Sequence, residues 1–106
     1  MFIQTQKTPN PNSLKFLPGR KISNIDSVEF SKKDDLNNIL IKSILEINGV
    51  ESLFLGSDFL SVNKDQNTNW EDIKHIVISL MNEFFEEGNE LIVDKNLSNK
   101  IIKNYK

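Results

Sequence analysis

The side chains able to do chemistry in this chain are few. Among the 106 residues there is one histidine and no cysteine. The lack of thiols excludes disulfides, thiolate metal sites, thiolate-held clusters and cysteine nucleophiles within the chain. The single histidine, His75, falls on a helical stretch about 200° around from Ile73, beside Glu71, Ser79 and Asn82. A general base needs a nucleophile and an orienting carboxylate within hydrogen-bond reach. No such partner is visible, so His75 reads as an exposed surface residue. Glu83, Glu86, Glu87 and Glu90 gather near one helix C-terminus. Their oxygens could hold a hard cation or iron weakly. The plainer reading is a solvated face, although acidic charge there opposes the helix dipole. No glycine-rich phosphate loop enters a helix, and the chain is not expected to be an enzyme.

The elements that must position these residues follow from periodicity. The 13 basic and 15 acidic side chains leave a net charge of −2, which argues against a general nucleic-acid binder. No apolar run approaches the roughly 20 residues that span a bilayer. The N-terminus has neither a basic region nor a long apolar core, so the expected location is the cytoplasm.

The chain turns on one stretch, Thr8-Pro9-Asn10-Pro11-Asn12-Ser13-Leu14-Lys15-Phe16-Leu17-Pro18-Gly19. Each proline fixes its own φ and biases Thr8 and Asn10 away from helix. Asparagines close turns by bonding nearby backbone. The result is a stiff polar connector, either a plain tight link or a preorganised recognition loop. Alternation predicts strands over 2–7, 13–17 and 25–30 on either side of it.

Ser31 and Asp34 resemble a capping box, with a helix from about Asp34 to Ile47 carrying Leu36, Ile39, Leu40, Ile44 and Ile47. Asn48-Gly49 stops it. Strands over 50–55 and 59–64 flank the turn Gly56-Ser57-Asp58 and form a hairpin. A second helix begins at Trp70, with Thr68 as cap and Glu71 reciprocating. Ile73, Val77, Leu80, Met81 and Phe84 form its apolar stripe, and Gly88 ends it. Trp70 is expected to staple the helix start onto the sheet. The remainder, with Leu91-Ile92-Val93 β-prone and Ser98 to Tyr105 weakly helical, reads as a tail or linker.

The order β-β-β-α-β-β-α predicts an α+β fold, a two-layer sandwich of a mostly antiparallel sheet and two helices. Phe54 alternates away from Leu53 and Leu55. If both helices cover one face, Phe54 needs the tail or a partner to cover it.

Three blocks carry a resemblance: the Thr8–Gly19 stretch, Gly49 to Lys64, and Trp70-Glu71-Asp72-Ile73-Lys74 leading into an apolar helix. Together they resemble the N-terminal domain of Nfu (NifU-like) iron–sulfur cluster scaffold and carrier proteins, over residue 1 to about 87. The resemblance implies a domain over 1–88, with 89–106 as a tail or linker toward a cluster-binding domain outside this chain. In that family the second domain holds a [4Fe–4S] cluster on a Cys-x-x-Cys motif, so no cofactor is expected on this chain. The implied role is accessory: supporting cluster assembly and delivery through protein–protein contacts. The implied partners are iron–sulfur assembly proteins, apo-protein clients or the chain's own cluster-binding domain. Thr8, Asn10, Asn12, Lys15, Gly56, Ser57, Asp58 and Phe59 are the expected contact residues. The rival is a weak iron-binding module using the Glu83 to Glu90 carboxylates.

Overall fold

The computed structural model describes residues 2–24, 27–34, 38–89 and 91. Five strands and two helices follow in the order β1 (Gln4–Lys7), β2 (Ser13–Leu17), β3 (Ser27–Ser31), α1 (Ile39–Leu45), β4 (Val50–Gly56), β5 (Leu60–Lys64) and α2 (Trp70–Glu86). The fold is α+β, as the periodicity predicts. The strands form one antiparallel sheet in the order β1-β2-β5-β4-β3.

Side chains directly opposite one another share a face. One row runs Thr5, Phe16, Leu60, Leu55, Val28, and the next runs Lys7, Leu14, Val62, Leu53, Phe30. The strand residues of these rows, Thr5 and Lys7 apart, are buried together with Leu40, Ile41, Ile44 and Leu45 of α1 and Ile73, Val77, Met81 and Phe85 of α2. Both helices therefore pack on this face. Burying each large apolar side chain contributes about 1.5–3 kcal/mol, so this single cluster holds the two layers together.

Helix α1 starts later than the sequence suggests. Ser31 and Asp34 do reciprocate: the Ser31 amide donates to Asp34 Oδ2 at 2.8 Å and the Asp34 amide to the Ser31 carbonyl at 3.0 Å. This closes a turn after β3 rather than capping a helix. The cap is Asn38, whose Oδ1 accepts from the amides of Leu40 and Ile41 at 3.0 and 3.1 Å. That phase leaves Ile39 64% exposed and buries Ile41 in its place. Leu36 lies outside the described residues.

The start of α2 differs too. Asn69 is its N-cap and makes no side-chain cap bond. The Thr68 hydroxyl donates to Asp65 Oδ1 at 2.7 Å, so it closes the preceding loop. The buried stripe is Ile73, Val77, Met81 and Phe85, with Leu80 and Phe84 partly buried against it. Gly88, at φ +85, ends the helix. Beyond it, Leu91 is buried, forms a parallel bridge with Ser23 and donates its amide to the Ile22 carbonyl at 3.2 Å. The expectations for Ile25, Glu90 and the stretch after Leu91 fall outside the described residues.

Candidate docking surface

The Thr8–Asn12 connector is bonded mainly to itself and to the sheet. The Thr8 hydroxyl shares its proton between the carbonyls of Asn10 (2.8 Å) and Ser13 (3.1 Å), and it accepts the Asn10 amide at 3.2 Å. Asn10 Oδ1 accepts the Asn12 amide at 2.9 Å, the Asx turn that such residues favour. Asn12 faces inward. Its Oδ1 accepts from Lys64 Nζ at 3.1 Å and its carbonyl from the Lys64 amide at 2.8 Å. The Lys64 ammonium also donates to the Asp65 carbonyl at 3.1 Å and lies 5.6 Å from the Trp70 ring centroid. Trp70 Nε1 donates to the Pro11 carbonyl at 2.9 Å. The expected staple thus also clamps the connector.

The other candidate residues sit at the opposite end of β5, about 15 Å away for five residues of strand. There Phe59 folds back over Gly56. A Cβ on Gly56 would lie 2.7 Å from ring carbons of Phe59, so only glycine admits this approach. The Phe59 ring stacks with Phe54 at 6.1 Å between centroids, and Lys15 Nζ stands 4.6 Å from its centroid. The Ser57 carbonyl accepts from the amides of Ile22 (2.7 Å) and Ser23 (3.2 Å), which fixes the turn. Asp58 is exposed. The structure thus joins Lys15, Gly56 and Phe59, adds Phe54 to them, and leaves Thr8, Asn10 and Asn12 as a separate group.

Lys15 and Phe54 lie on the sheet face away from the helices. The central row there reads Gln6, Lys15, Ser61, Phe54, Glu29. Beside it runs a polar row of Ser13, Asn63, Ser52 and Ser31. Ser13 and Ser61 share a hydroxyl bond at 3.1 Å, and Asn63 Nδ2 donates to Ser52 Oγ at 2.8 Å. No element among the described residues packs on this face. Alternation in β4 placed Phe54 there, but the part played by Phe59 depends on its folding back over Gly56, which no spacing rule conveys.

The other chemical candidates stay apart. His75 is exposed, with Nδ1 3.2 Å from the Glu71 carbonyl. Glu83, Glu86 and Glu87 are exposed, and Glu90 lies outside the described residues. Among the described residues no three of His, Asp or Glu come together to hold a metal ion. With no cysteine in the chain, the described side chains do not fit an iron–sulfur cluster. No helix among the described residues is long and apolar enough to cross a membrane. A cavity of about 380 Å³ opens near the end of α2, walled by Arg20, Ile22, Phe85 and Leu91 among others.

Fold and site define a small α+β domain with an open, aromatic-bearing sheet face and no metal-binding cluster among its described residues. The chain belongs to the Nfu/NifU N-terminal scaffold family: the family described as scaffold protein Nfu/NifU N terminal matches residues 3–88. It is 40% identical over 95 residues to NifU-like protein 4, mitochondrial, of Arabidopsis thaliana, covering 89% of this chain and 34% of that protein. It is 36% identical over 100 residues to the Homo sapiens NFU1 iron-sulfur cluster scaffold homolog, mitochondrial, covering 92% and 39%. The chain therefore spans about a third of the length of these relatives. Among solved structures, a NifU-like protein from Saccharomyces cerevisiae aligns with TM-score 0.76 at 33% identity, covering 88% of this chain and 85% of that one. Staphylococcus aureus protein SAV1430 aligns with TM-score 0.67 at 33% identity, covering 76% and 99%. These matches overturn the cytoplasmic expectation, since the plant and human relatives are mitochondrial by name. A folded domain's composition carries no address, because targeting leaders are separate segments.

Proposed function

We propose that this chain is the accessory domain of an iron–sulfur cluster scaffold. It supports assembly and delivery of clusters by holding partner proteins, while thiolate ligation takes place on a separate Cys-x-x-Cys domain. Its partners in this reading are cluster-assembly proteins, apo-protein clients and that cluster-binding domain. The contact residues are Lys15, Gly56, Ser57, Asp58 and Phe59 at one end of the sheet, and Thr8, Asn10 and Asn12 at the other.

The observation that carries this reading is the open sheet face, where Lys15 rests over Phe59 and Phe59 over Gly56. Such a surface can recognise by shape and charge without chemistry of its own. The test is calorimetric titration of the chain into purified cluster-assembly proteins and apo-clients from the same cells. Saturable binding to at least one of them is expected. Absence of binding to all of them refutes the proposal.

A further inference from the structure

We infer that the open sheet face docks a partner protein presenting an apolar side chain between two opposite charges, a carboxylate to meet Lys15 and a cation to meet Glu29. The inference rests on the accessory-domain reading and names the surface and the partner chemistry within it.

Three observations carry it. First, the face has a fixed polarity. The central row places Lys15 and Glu29 three strands apart, about 14 Å, with Ser61 and Phe54 between them. A partner with charges at matching spacing is favoured and one with them reversed is repelled, which is how such patterns give specificity. Second, the apolar centre is held in place. Phe54 and Phe59 are only partly buried; their rings stack on each other, and the Phe59 ring lies against Gly56 and beneath the Lys15 ammonium. Preorganised aromatics lose little entropy on docking. Third, Lys15 makes no ion pair among the described residues; its ammonium lies over the neutral Phe59 ring instead. It can accept a carboxylate without breaking an existing pair.

The footprint favours a transient partner over a second copy of this chain. Five strands at about 4.8 Å spacing and five residues at about 3.3 Å make a face of roughly 300–400 Å². Two copies meeting on it fall short of the roughly 1,200 Å² of total area that a stable interface buries. Weak encounters sit at the low end of that range, which suits a carrier that must release what it meets.

The test uses the full chain and the assembly proteins and apo-clients of the titration above. Lys15→Glu and Phe54→Ser are each compared with wild type and with Lys74→Glu, the same charge change on the exposed side of α2. Circular dichroism and the urea midpoint monitor the fold. Expected is a loss of at least tenfold in affinity for Lys15→Glu and Phe54→Ser, and less than twofold for Lys74→Glu. Carbodiimide coupling should join Lys15 to a carboxylate of the partner. If wild type binds a partner and both open-face variants bind equally well, this inference falls and the accessory-domain reading stands. If wild type binds nothing, both fall. Sedimentation showing a dimer that Lys15→Glu dissociates would assign the face to a second copy and overturn the inference.

Discussion

Lys64 donates from Nζ to Oδ1 of Asn12 at 3.1 Å, joining residues 52 positions apart in the chain. The lysine is only 8% exposed. A buried ammonium must be hydrogen-bonded or its desolvation is unfavourable. Asn12, the Asp65 carbonyl and the Trp70 ring together satisfy it. The Pro-Asn-Pro connector thus doubles as the lid over a buried charge.

Replacing Asn12 with alanine should therefore destabilise the fold, by about 1–3 kcal/mol for a lost bond to a charged donor. The urea midpoint should fall with little change in slope. An unchanged midpoint would show that water or another acceptor replaces Asn12. The same experiment qualifies any binding measurement on Asn12 variants, because lost affinity there can reflect a loosened connector.

Trp70 holds that connector from the other side. Trp70→Phe keeps an aromatic ring beside Lys64 and removes the N–H that reaches the Pro11 carbonyl. A cost of about 0.5–1.5 kcal/mol is expected, at the lower end because that carbonyl is near water. Amide exchange should show the change at Asn12 and Ser13, with the middle of α2 unaffected. Faster exchange throughout α2 would mean that the tryptophan acts chiefly as a helix anchor.

Much of this architecture was legible in the sequence, and the departures have physical causes. Strand β2 falls where alternation places it, because Pro11 and Pro18 bracket it. The apolar stripe of α2 was visible from its 3.6-residue period. The helix starts were harder, because Ser, Thr, Asp and Asn serve turns as readily as caps. Asp34 closes a turn after β3, and Asp65 takes the Thr68 hydroxyl that would otherwise cap α2. The strand order β1-β2-β5-β4-β3 depends on pairing between distant segments, which local pattern does not encode. Of the candidate site, Lys15 and the 56–59 turn could be named, but Phe59 folding over Gly56 is a tertiary event. The inward orientation of Asn12 follows from Lys64, which composition gives no reason to bury.

Gly49 should tolerate no side chain. Its φ is +97, a left-handed conformation that costs an L residue roughly 1–2 kcal/mol. A Cβ there would also stand 2.8 Å from Cβ and Cγ2 of Thr68. Thr68 cannot easily yield, since its hydroxyl and amide are both bonded to Asp65. Gly49→Ala is expected to cost more than about 2 kcal/mol, combining the backbone strain with overpacking. Adding Thr68→Ser to Gly49→Ala should recover only part of the loss, because serine removes Cγ2 but keeps the Oγ and Cβ contacts, and the backbone strain remains. Full recovery would assign the whole effect to the collision.

Asp65 gives the fold an acid-sensitive point. Its Oδ1 accepts the Thr68 hydroxyl at 2.7 Å and the amides of Thr68 (2.9 Å) and Asn67 (3.0 Å). The Thr68 hydroxyl bond is the main cause holding the carboxyl below its ordinary value of 3.8; the two amides and nearby Lys64 add to it, and partial desolvation opposes it. A carboxylate with a lowered folded pKa contributes stability that is fully present above the unfolded value and is lost as pH falls through the folded value. The wild-type urea midpoint should therefore hold from neutrality down to the region of 3.8 and then decline. Asp65→Asn removes the charge while keeping an acceptor. Its midpoint should be lower at neutral pH and less dependent on acid, so the two curves should converge at the acid end. Curves that stay parallel over the whole range would mean that other carboxylates set the acid limb and that Asp65 acts only as a neutral acceptor.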